Sequence, residues 1–336
     1  MAATRPSADN PQDRPLVTFA VITYNQERTI LEALAGAFAQ TYSPLEIILS
    51  DDCSSDRTFE IMSAQAAAYS GPHRLVLNRN AGNLNIGGHV NRIGQLAAGS
   101  LVILAAGDDV SLPCRTERIV RCWVESGQRS GAFHSDFEAI NAEGGSVPPH
   151  GRQLHRYRMD KEVMASGDIH VLGATTAFTR DVWSRFPPLL PTVQHEDRVF
   201  PFRALLLGGR IHFIPERLVR YRVEGGVSTR RAITARHYLY DYLPTLSRKI
   251  LPDAFQRLGD LDTMTPPNSQ LRRLCLMVIA EQESVVAMAA SRGLRLEVAV
   301  LRAFRCGARW SPTVRLYLRF RLFPVFKLFF RRGNVS

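Results

Sequence analysis

The sequence predicts an α/β fold, a mostly parallel sheet with helices on both faces, extended at its C-terminus by further helices. Three observations predict it. Between Leu16 and Ala105, apolar runs of strand length alternate with stretches of helical spacing. Those runs are almost continuously apolar, as strands covered on both faces must be. From about Thr229 onward the chain reads as helix.

The first strand is Leu16 to Thr23, LVTFAVIT, followed by a helix from about Arg28 to Gln40 with Ile30, Leu31, Leu34 and Phe38 on its apolar side. Leu45 to Ser50, LEIILS, is a second buried strand. Ser54 and Ser55 stand where a helix N-cap is expected, ahead of helical spacing over Thr58 to Tyr69. A third strand covers Arg74 to Leu77, a third helix Gly88 to Ala97 and a fourth strand Leu101 to Ala105. Such βαβα succession implies right-handed crossovers. Beyond about Ala132 the spacing is irregular, with short strands expected at Gly131 to Phe133, Ala174 to Thr179 and Arg210 to Ile214. A helix from Arg198 to Leu207 should stop at Gly208-Gly209. Helices then follow at Arg236 to Lys249, Gln270 to Ala290 and Leu294 to Cys306, with no internal repeat and no low-complexity linker.

A chain of 336 residues, 45% hydrophobic, can bury a substantial core. Residues 1–15, rich in Pro, Asp, Arg and Ala, hold no apolar run and read as a loose tail rather than a leader or a span, so the expected location is the cytoplasm. Five cysteines, odd in number and without C-x-x-C spacing, fit a reduced compartment. The net charge of +11 resides mainly at the C-terminus: after Glu297 there is no acid, while Arg302, Arg305, Arg309, Arg315, Arg319, Arg321, Lys327, Arg331 and Arg332 add nine positive charges.

Three acidic pairs fall where expected strands give way to loops or helices: Asp51-Asp52, Asp108-Asp109 and Glu196-Asp197. Carboxylates at the carboxyl ends of strands can hold a divalent cation, grip a base and deprotonate an acceptor in one crevice. Each pair also has a plain explanation. Acids before or in a first helical turn are favoured by the helix dipole, and two aspartates suit a turn.

The run Thr23-Tyr24-Asn25-Gln26-Glu27 together with Asp51-Asp52-Cys53-Ser54-Ser55-Asp56 resembles the opening of the inverting family 2 glycosyltransferases, where the second run usually reads D-D-G-S-x-D. Further on, Asn83-Leu84-Asn85-Ile86-Gly87 resembles the family's N-x-G loop, and Ala106-Gly107-Asp108-Asp109 its D-x-D-D segment. Gln194-His195-Glu196-Asp197 resembles its E-D segment, and Arg220-Tyr221-Arg222-Val223-Glu224 its Y-R-x-H segment. The resemblance spans roughly Leu16 to Ser228. It implies the GT-A fold, Rossmann-like in its sheet. It also implies transfer of a sugar from a nucleotide-diphosphate donor, UDP-linked, to a hydroxyl acceptor, as in assembly of a cell-surface polysaccharide or glycolipid.

The roles it implies are Asp52 for the imide N–H of uracil, Asp108 for Mn²⁺ or Mg²⁺, and Asp197 as general base. Thr23, Tyr24, Glu27 and Asn83 would shape the nucleotide pocket, with Asp51, Asp109 and Glu196 in support. The chemistry suits these types: a carboxylate accepts from uracil N3–H, and a hard cation needs few protein ligands once a diphosphate supplies the rest. The sequence departs from the pattern at Cys53 and Asn85 in place of glycine, Ala106 in place of an acid and Glu224 in place of histidine. Asn is the side chain that best tolerates a positive φ, whereas Cys53 is not expected to use that conformation easily.

The expected organisation is a tail over 1–15, a transferase domain over 16–230 divided into a nucleotide half (16–130) and an acceptor half (131–230), and a helical region over 231–336. Residues 312–332, PTVRLYLRFRLFPVFKLFFRR, combine aromatics with positive charge and suit an anionic membrane surface. Pro324 and the charges argue against a span, and packing on the body or a second subunit explains the stretch as well. The enzyme would then sit peripherally at the inner face of the membrane, its acceptor a saccharide or lipid-linked saccharide, with no nucleic acid as partner. A dehydrogenase or a P-loop enzyme is excluded because the first turn, Thr23 to Glu27, has no glycine. The alternative that stays open is a non-catalytic sugar-nucleotide binder or membrane-associated assembly protein.

Overall fold

The computed structural model describes residues 14–148, 159–167, 171–223, 235–266, 268–291, 294–305 and 307–321. The readings that involved Cys306, Glu224 to Ser228, residues 1–13 and residues 322–332 lie outside them.

Eight strands form one sheet in the order β3-β2-β1-β4-β7-β6-β8-β5. The parallel half consists of β1 (Val17–Thr23), β2 (Leu45–Asp51), β3 (Arg74–Arg79) and β4 (Leu101–Ala106). The other half is mixed: β7 (Thr176–Thr179) runs antiparallel to β4 and to β6 (Gly131–Ile140), β8 (Arg210–Arg222) is parallel to β6, and β5 (Val110–Ser111) is antiparallel to β8. Helices α1 (Ile30–Phe38), α2 (Thr58–Ala68), α3 (Asn85–Leu96) and α4 (Arg115–Glu125) connect these strands, and α6 (Asp181–Ser184) and α7 (Glu196–Leu206) lie between β7 and β8.

The strands are apolar throughout because each face has its own core. Alternate residues Val17, Phe19 and Val21 of β1, with Ile47, Leu49, Leu101 and Ile103, pack with Ile30, Leu34 and Ala37 of α1 and Ile119 and Trp123 of α4. The intervening Ala20, with Ile48, Val102 and Leu104, packs with Val90 and Ile93 of α3 and Val199 and Phe200 of α7. This period of two buries both sets and excludes water from both faces, the main driving force for the fold.

The chain clusters into two compact units, Met1–Asp160 with Ile169–Thr229, and Lys161–Asp168 with Arg230–Ser336. In the second unit, α8 (Ala235–His237) and a π-helical turn (Tyr238–Tyr242) lead into α9 (Leu243–Asp262), α10 (Ser269–Ala290), α11 (Leu294–Arg305) and α12 (Trp310–Arg321). The short α5 (Lys161–Ser166) belongs to this unit too, and fully buried Arg257 of α9 donates to the Met164 carbonyl. Among the described residues no helix is long and apolar enough to cross a membrane.

Several elements outrun the sequence reading. β8 continues past Pro215, because the ladder with β6 shifts register there: Ile214 faces Ser135 and Arg217 faces Asp136, so Pro215 and Glu216 stand in the irregularity, where the missing N–H costs no ladder bond. α9 runs through Pro252 because Ala254, Leu251 and Leu258 pack on Val278 and Ile279 of α10. Helix α5 and strand β5 were not expected at all. Gly208 does take the positive φ, +81°, that ends α7. Ser54 and Ser55 do not cap α2; its N-cap is Arg57, and the serines bind the neighbouring loops instead.

Candidate active site

The carboxyl end of β1 is the centre of the candidate site. Thr23 lies in register with Asp51 of β2, and Ile22 with Ala106 of β4. Asp52 N donates to Thr23 O at 2.9 Å and Gly107 N to Ile22 O at 3.0 Å. The acidic pairs that end β2 and β4 therefore leave the sheet on either side of the β1 exit.

In the first pair, fully buried Asp51 accepts from Ser54 N at 2.9 Å and from Ser54 Oγ, with Arg79 Nε 3.4 Å from its Oδ2. Asp52 is buried as well, and its Oδ1 accepts from Asn80 Nδ2 at 2.8 Å and from Leu84 N at 2.9 Å. Asn80 is held in turn by Asn78, whose Nδ2 reaches Asn80 Oδ1 at 3.0 Å and Ser50 Oγ at 2.9 Å, and Ser50 Oγ lies 2.7 Å from His89 Nε2. Burial pushes the His89 pKa down, while the Asp52 and Asp51 charges pull it up by less. Between the two acids and Ser54, Cys53 adopts φ +62°, contrary to the sequence expectation, because the two bonds from Ser54 to Asp51 close the turn around it. Asn85 adopts φ +57°.

The β1 and β2 exits are laced together. Asn25 N donates to Ser54 Oγ, Ser55 N to Asn25 Oδ1, and Gln26 N to Thr58 Oγ1, each at 2.8 Å. Glu27 N donates to Asp56 Oδ2 at 3.1 Å and Glu27 Oε2 accepts from Arg57 N at 3.1 Å, so Glu27 braces the two loops. Thr23 Oγ1 bonds Gln26 Oε1 at 2.7 Å. The Tyr24 ring is 46% exposed at the lip. Exposed Asn83 accepts from Asn85 N at 2.8 Å, closing the turn into α3.

In the second pair, buried Asp109 accepts from Arg222 N at 2.8 Å through Oδ1. The Arg222 guanidinium spreads over the neighbouring chain exits: Nε to Asp108 O at 3.0 Å, one terminal nitrogen to Asn141 O at 2.9 Å, the other to Glu32 Oε2 at 3.1 Å. Burial, reinforced by the Asp108 charge, pushes the Asp109 pKa up to about 8, and burial raises that of Asp108 against the pull of Arg222. Two adjacent carboxylates in a dry corner are hard oxygen donors whose mutual repulsion a divalent cation relieves. Among the described residues no three His, Cys, Asp or Glu side chains converge as a metal cage. The donor set thus fits a cation held by Asp108 with its other ligands drawn from a bound diphosphate.

Glu196 and Asp197 open α7, and both are buried. Gly173 N donates to Asp197 Oδ2 at 3.1 Å, and a Cβ on Gly173 would stand 2.7 Å from Glu196 Oε1, so a side chain there would push the Glu196 carboxylate aside. Gly173 begins a 3₁₀ turn, Gly173–Thr175, that leads into β7 beside the end of β4. Fully buried Arg115 ties the two together: one terminal nitrogen donates to Leu104 O and to Ala174 O, both at 2.9 Å, and the other to Ser111 Oγ at 2.8 Å. Burial lowers its pKa to about 9, which leaves it charged at neutral pH. All three acidic pairs thereby share one edge of the sheet. His134 and Ser135 are buried near that edge, with the His134 ring 5.1 Å from that of Phe213.

Three residues that hold this arrangement were not singled out in the sequence. Arg222 lies within the Y-R segment, a signal available but unassigned. Asn80 directly follows β3, and Arg115 had no signal, since its partners are carbonyls remote in the chain.

The family model for glycosyl transferase family 2 matches residues 18–182. The chain is 35% identical over 106 residues to the putative glycosyltransferase EpsE of Bacillus subtilis, a match covering 32% of this chain and 37% of that protein. It is 37% identical over 108 residues to the succinoglycan biosynthesis protein ExoO of Rhizobium meliloti, covering 32% and 29%. These matches span little more than a third of the relatives' length or less. In fold, it is similar to S. aureus TarS 1-349 in complex with UDP-GlcNAc, with TM-score 0.54, 15% identity and coverage of 92% of this chain and 91% of that one. The mannosyltransferase PcManGT of Pyrobaculum calidifontis, in complex with GDP-Man and Mn²⁺, gives TM-score 0.54 at 17% identity, covering 96% and 84%.

Proposed function

We propose, from the match of residues 18–182 to the family model for glycosyl transferase family 2, that this protein is an inverting glycosyltransferase. It moves a sugar from a UDP-linked donor to a hydroxyl of a saccharide or lipid-linked saccharide in cell-surface polysaccharide or glycolipid assembly. The basic aromatic stretch 312–332 keeps it at the inner face of the membrane.

Asp52, its Oδ1 occupied by Asn80 and Leu84, offers Oδ2 to the imide N–H of uracil. Thr23 and Tyr24 wall the nucleotide, Glu27 and Asp51 hold the loops that carry them, and Asn83 sets the turn beside them. Asp108, backed by Asp109, would hold Mn²⁺ or Mg²⁺, which supplies charge stabilisation to the departing diphosphate. Asp197 takes the proton of the acceptor hydroxyl as its oxygen attacks the sugar C1 from the far side; the C1–O bond to the diphosphate breaks and its electron pair leaves with that oxygen. Glu196 stands next to this base.

The observation that carries the reading is the tie from Asp197 through Gly173 and Arg115 to the end of β4, which sets this acid on the edge where the other two pairs emerge. A base role predicts that Asp197→Asn keeps donor affinity within about twofold while transfer falls roughly 10²–10⁴-fold. Calorimetric titration of the donor and Mn²⁺-dependent release of nucleoside diphosphate onto acceptor measure the two. Wild-type turnover in the variant removes Asp197 from this role. A parent protein that binds donor but never releases nucleoside diphosphate would instead be the non-catalytic binder.

A further inference from the structure

Helix α11 presents an outward face that is exposed among the described residues. Leu296, Ala299, Val300 and Ala303 are turned inward and buried, packed in the cores shared with the π-helical turn, α10 and α12. On the opposite side stand Arg295, Val298, Leu301, Arg302 and Arg305, all exposed, Val298 by 62% and Leu301 by 63%. At 3.6 residues per turn these five fall within an arc of about 120°. Two aliphatic side chains thus share this arc with three guanidinium groups, none of them paired with a carboxylate among the described residues. The one acid of the helix, Glu297, is turned aside and taken by Tyr317 and Arg321 of α12. Beside the stripe, Phe304 stacks on Trp310, ring centroids 4.4 Å apart, and Trp310 is 71% exposed.

We propose that this face of α11 is a docking surface for an anionic phospholipid bilayer. Val298 and Leu301 enter the boundary between head groups and acyl chains, the arginines lie among the head-group phosphates, and Trp310 sits at the interface, the arrangement of an interfacial helix. Charge decides against the other occupants. A second copy meeting this face across a two-fold axis would bring arginines against arginines. A nucleic acid would find aliphatic side chains where it needs aromatic rings to stack bases. The proposal rests on the membrane part of the preceding reading and adds to the 312–332 stretch a second contact on a separate helix, and it stands whether or not the chain transfers sugar.

The test is vesicle flotation of the full chain with phosphatidylcholine vesicles, with and without phosphatidylglycerol. The parent floats with the anionic vesicles only, and less as salt is raised. Val298→Asp with Leu301→Asp, both at exposed positions, should melt like the parent yet partition roughly tenfold or more weakly. Arg302→Ser with Arg305→Ser should weaken binding and flatten its salt dependence. Unchanged flotation of the aspartate variant overturns the proposal. So does complete loss of binding on removal of residues 322–336 alone, which would assign the contact to the tail. A parent dimer by light scattering that the aspartate variant converts to monomer overturns it in favour of self-association.

Discussion

The pairs Asp51-Asp52 and Asp108-Asp109 are alike in sequence and opposite in use. After β2 the first acid is spent on the fold, accepting from Ser54 N and Oγ, and the second is held at one oxygen only. After β4 the order reverses: the second acid accepts from Arg222 N, and the first is contacted by Arg222 at its carbonyl. In the proposed reading the two acids of each pair divide the work, one closing the strand exit and the other serving the ligand. What differs is how the buried acid is satisfied. Asp51 is served by Ser54, three positions away, and by Arg79, whereas Asp109 accepts from the backbone N–H of Arg222, 113 residues downstream.

That difference can be broken from either side. The largest effect is expected at Arg222→Met, which leaves the backbone bond to Asp109 in place but strips the Asp108 and Asn141 carbonyls and half-exposed Glu32 of a buried guanidinium. With several acceptors left unpaired the cost is about 3–5 kcal/mol, read as a fall in the urea midpoint, and a loss no larger than for an exposed arginine would show that the guanidinium does not hold these exits. A smaller effect is expected within the first pair, where Asp51→Ala should cost about 1–3 kcal/mol by leaving Ser54 N unbonded. Asp52→Asn keeps an acceptor for Asn80 and Leu84, so it should spare the melting temperature and lose donor affinity. Equal destabilisation by both would erase the proposed division of labour.

The smallest effect concerns pH. Burial holds the His89 pKa below the ordinary value of 6.5, so the unfolded chain binds the proton more readily than the native one. The contribution of this histidine to stability should therefore be level above about 6.5 and decline as pH falls below it. His89→Gln should reduce that decline in urea midpoints measured across pH 5 to 7, roughly the span in which an unperturbed histidine changes charge; an unaltered slope would discard the histidine as its source.

The parallel half of the sheet was legible because its signals are local: LVTFAVIT, LEIILS and LVILA are strand-length apolar runs, each followed by a helical pattern. The mixed half was read in fragments. Pro215 looked like the end of β8, and only the register shift opposite Ser135 and Asp136 explains why the strand goes on to Arg222. Within the site, the acids could be found because carboxylates in pairs are conspicuous. Their supports could not: Asn80 matters by reaching back to Asp52, Arg115 by bridging Leu104 to Ala174, and neither relation is visible in the spacing of the residues concerned. Glu27, given to the nucleotide pocket by the resemblance, also braces two loops through its bonds to Asp56 and Arg57, which its spacing does not reveal.

The reversal of strand direction between β4 and β7 has a consequence for how such a chain can diversify. Because β6 runs with β4 and β7 against both, the excursion from Asn141 to Thr175 departs from and returns to the same rim of the sheet. Segments can be grafted into it, lengthened or exchanged while the four parallel strands and their laced exits stay untouched. Novelty can accumulate on one bank of the crevice with the opposite bank kept as inheritance.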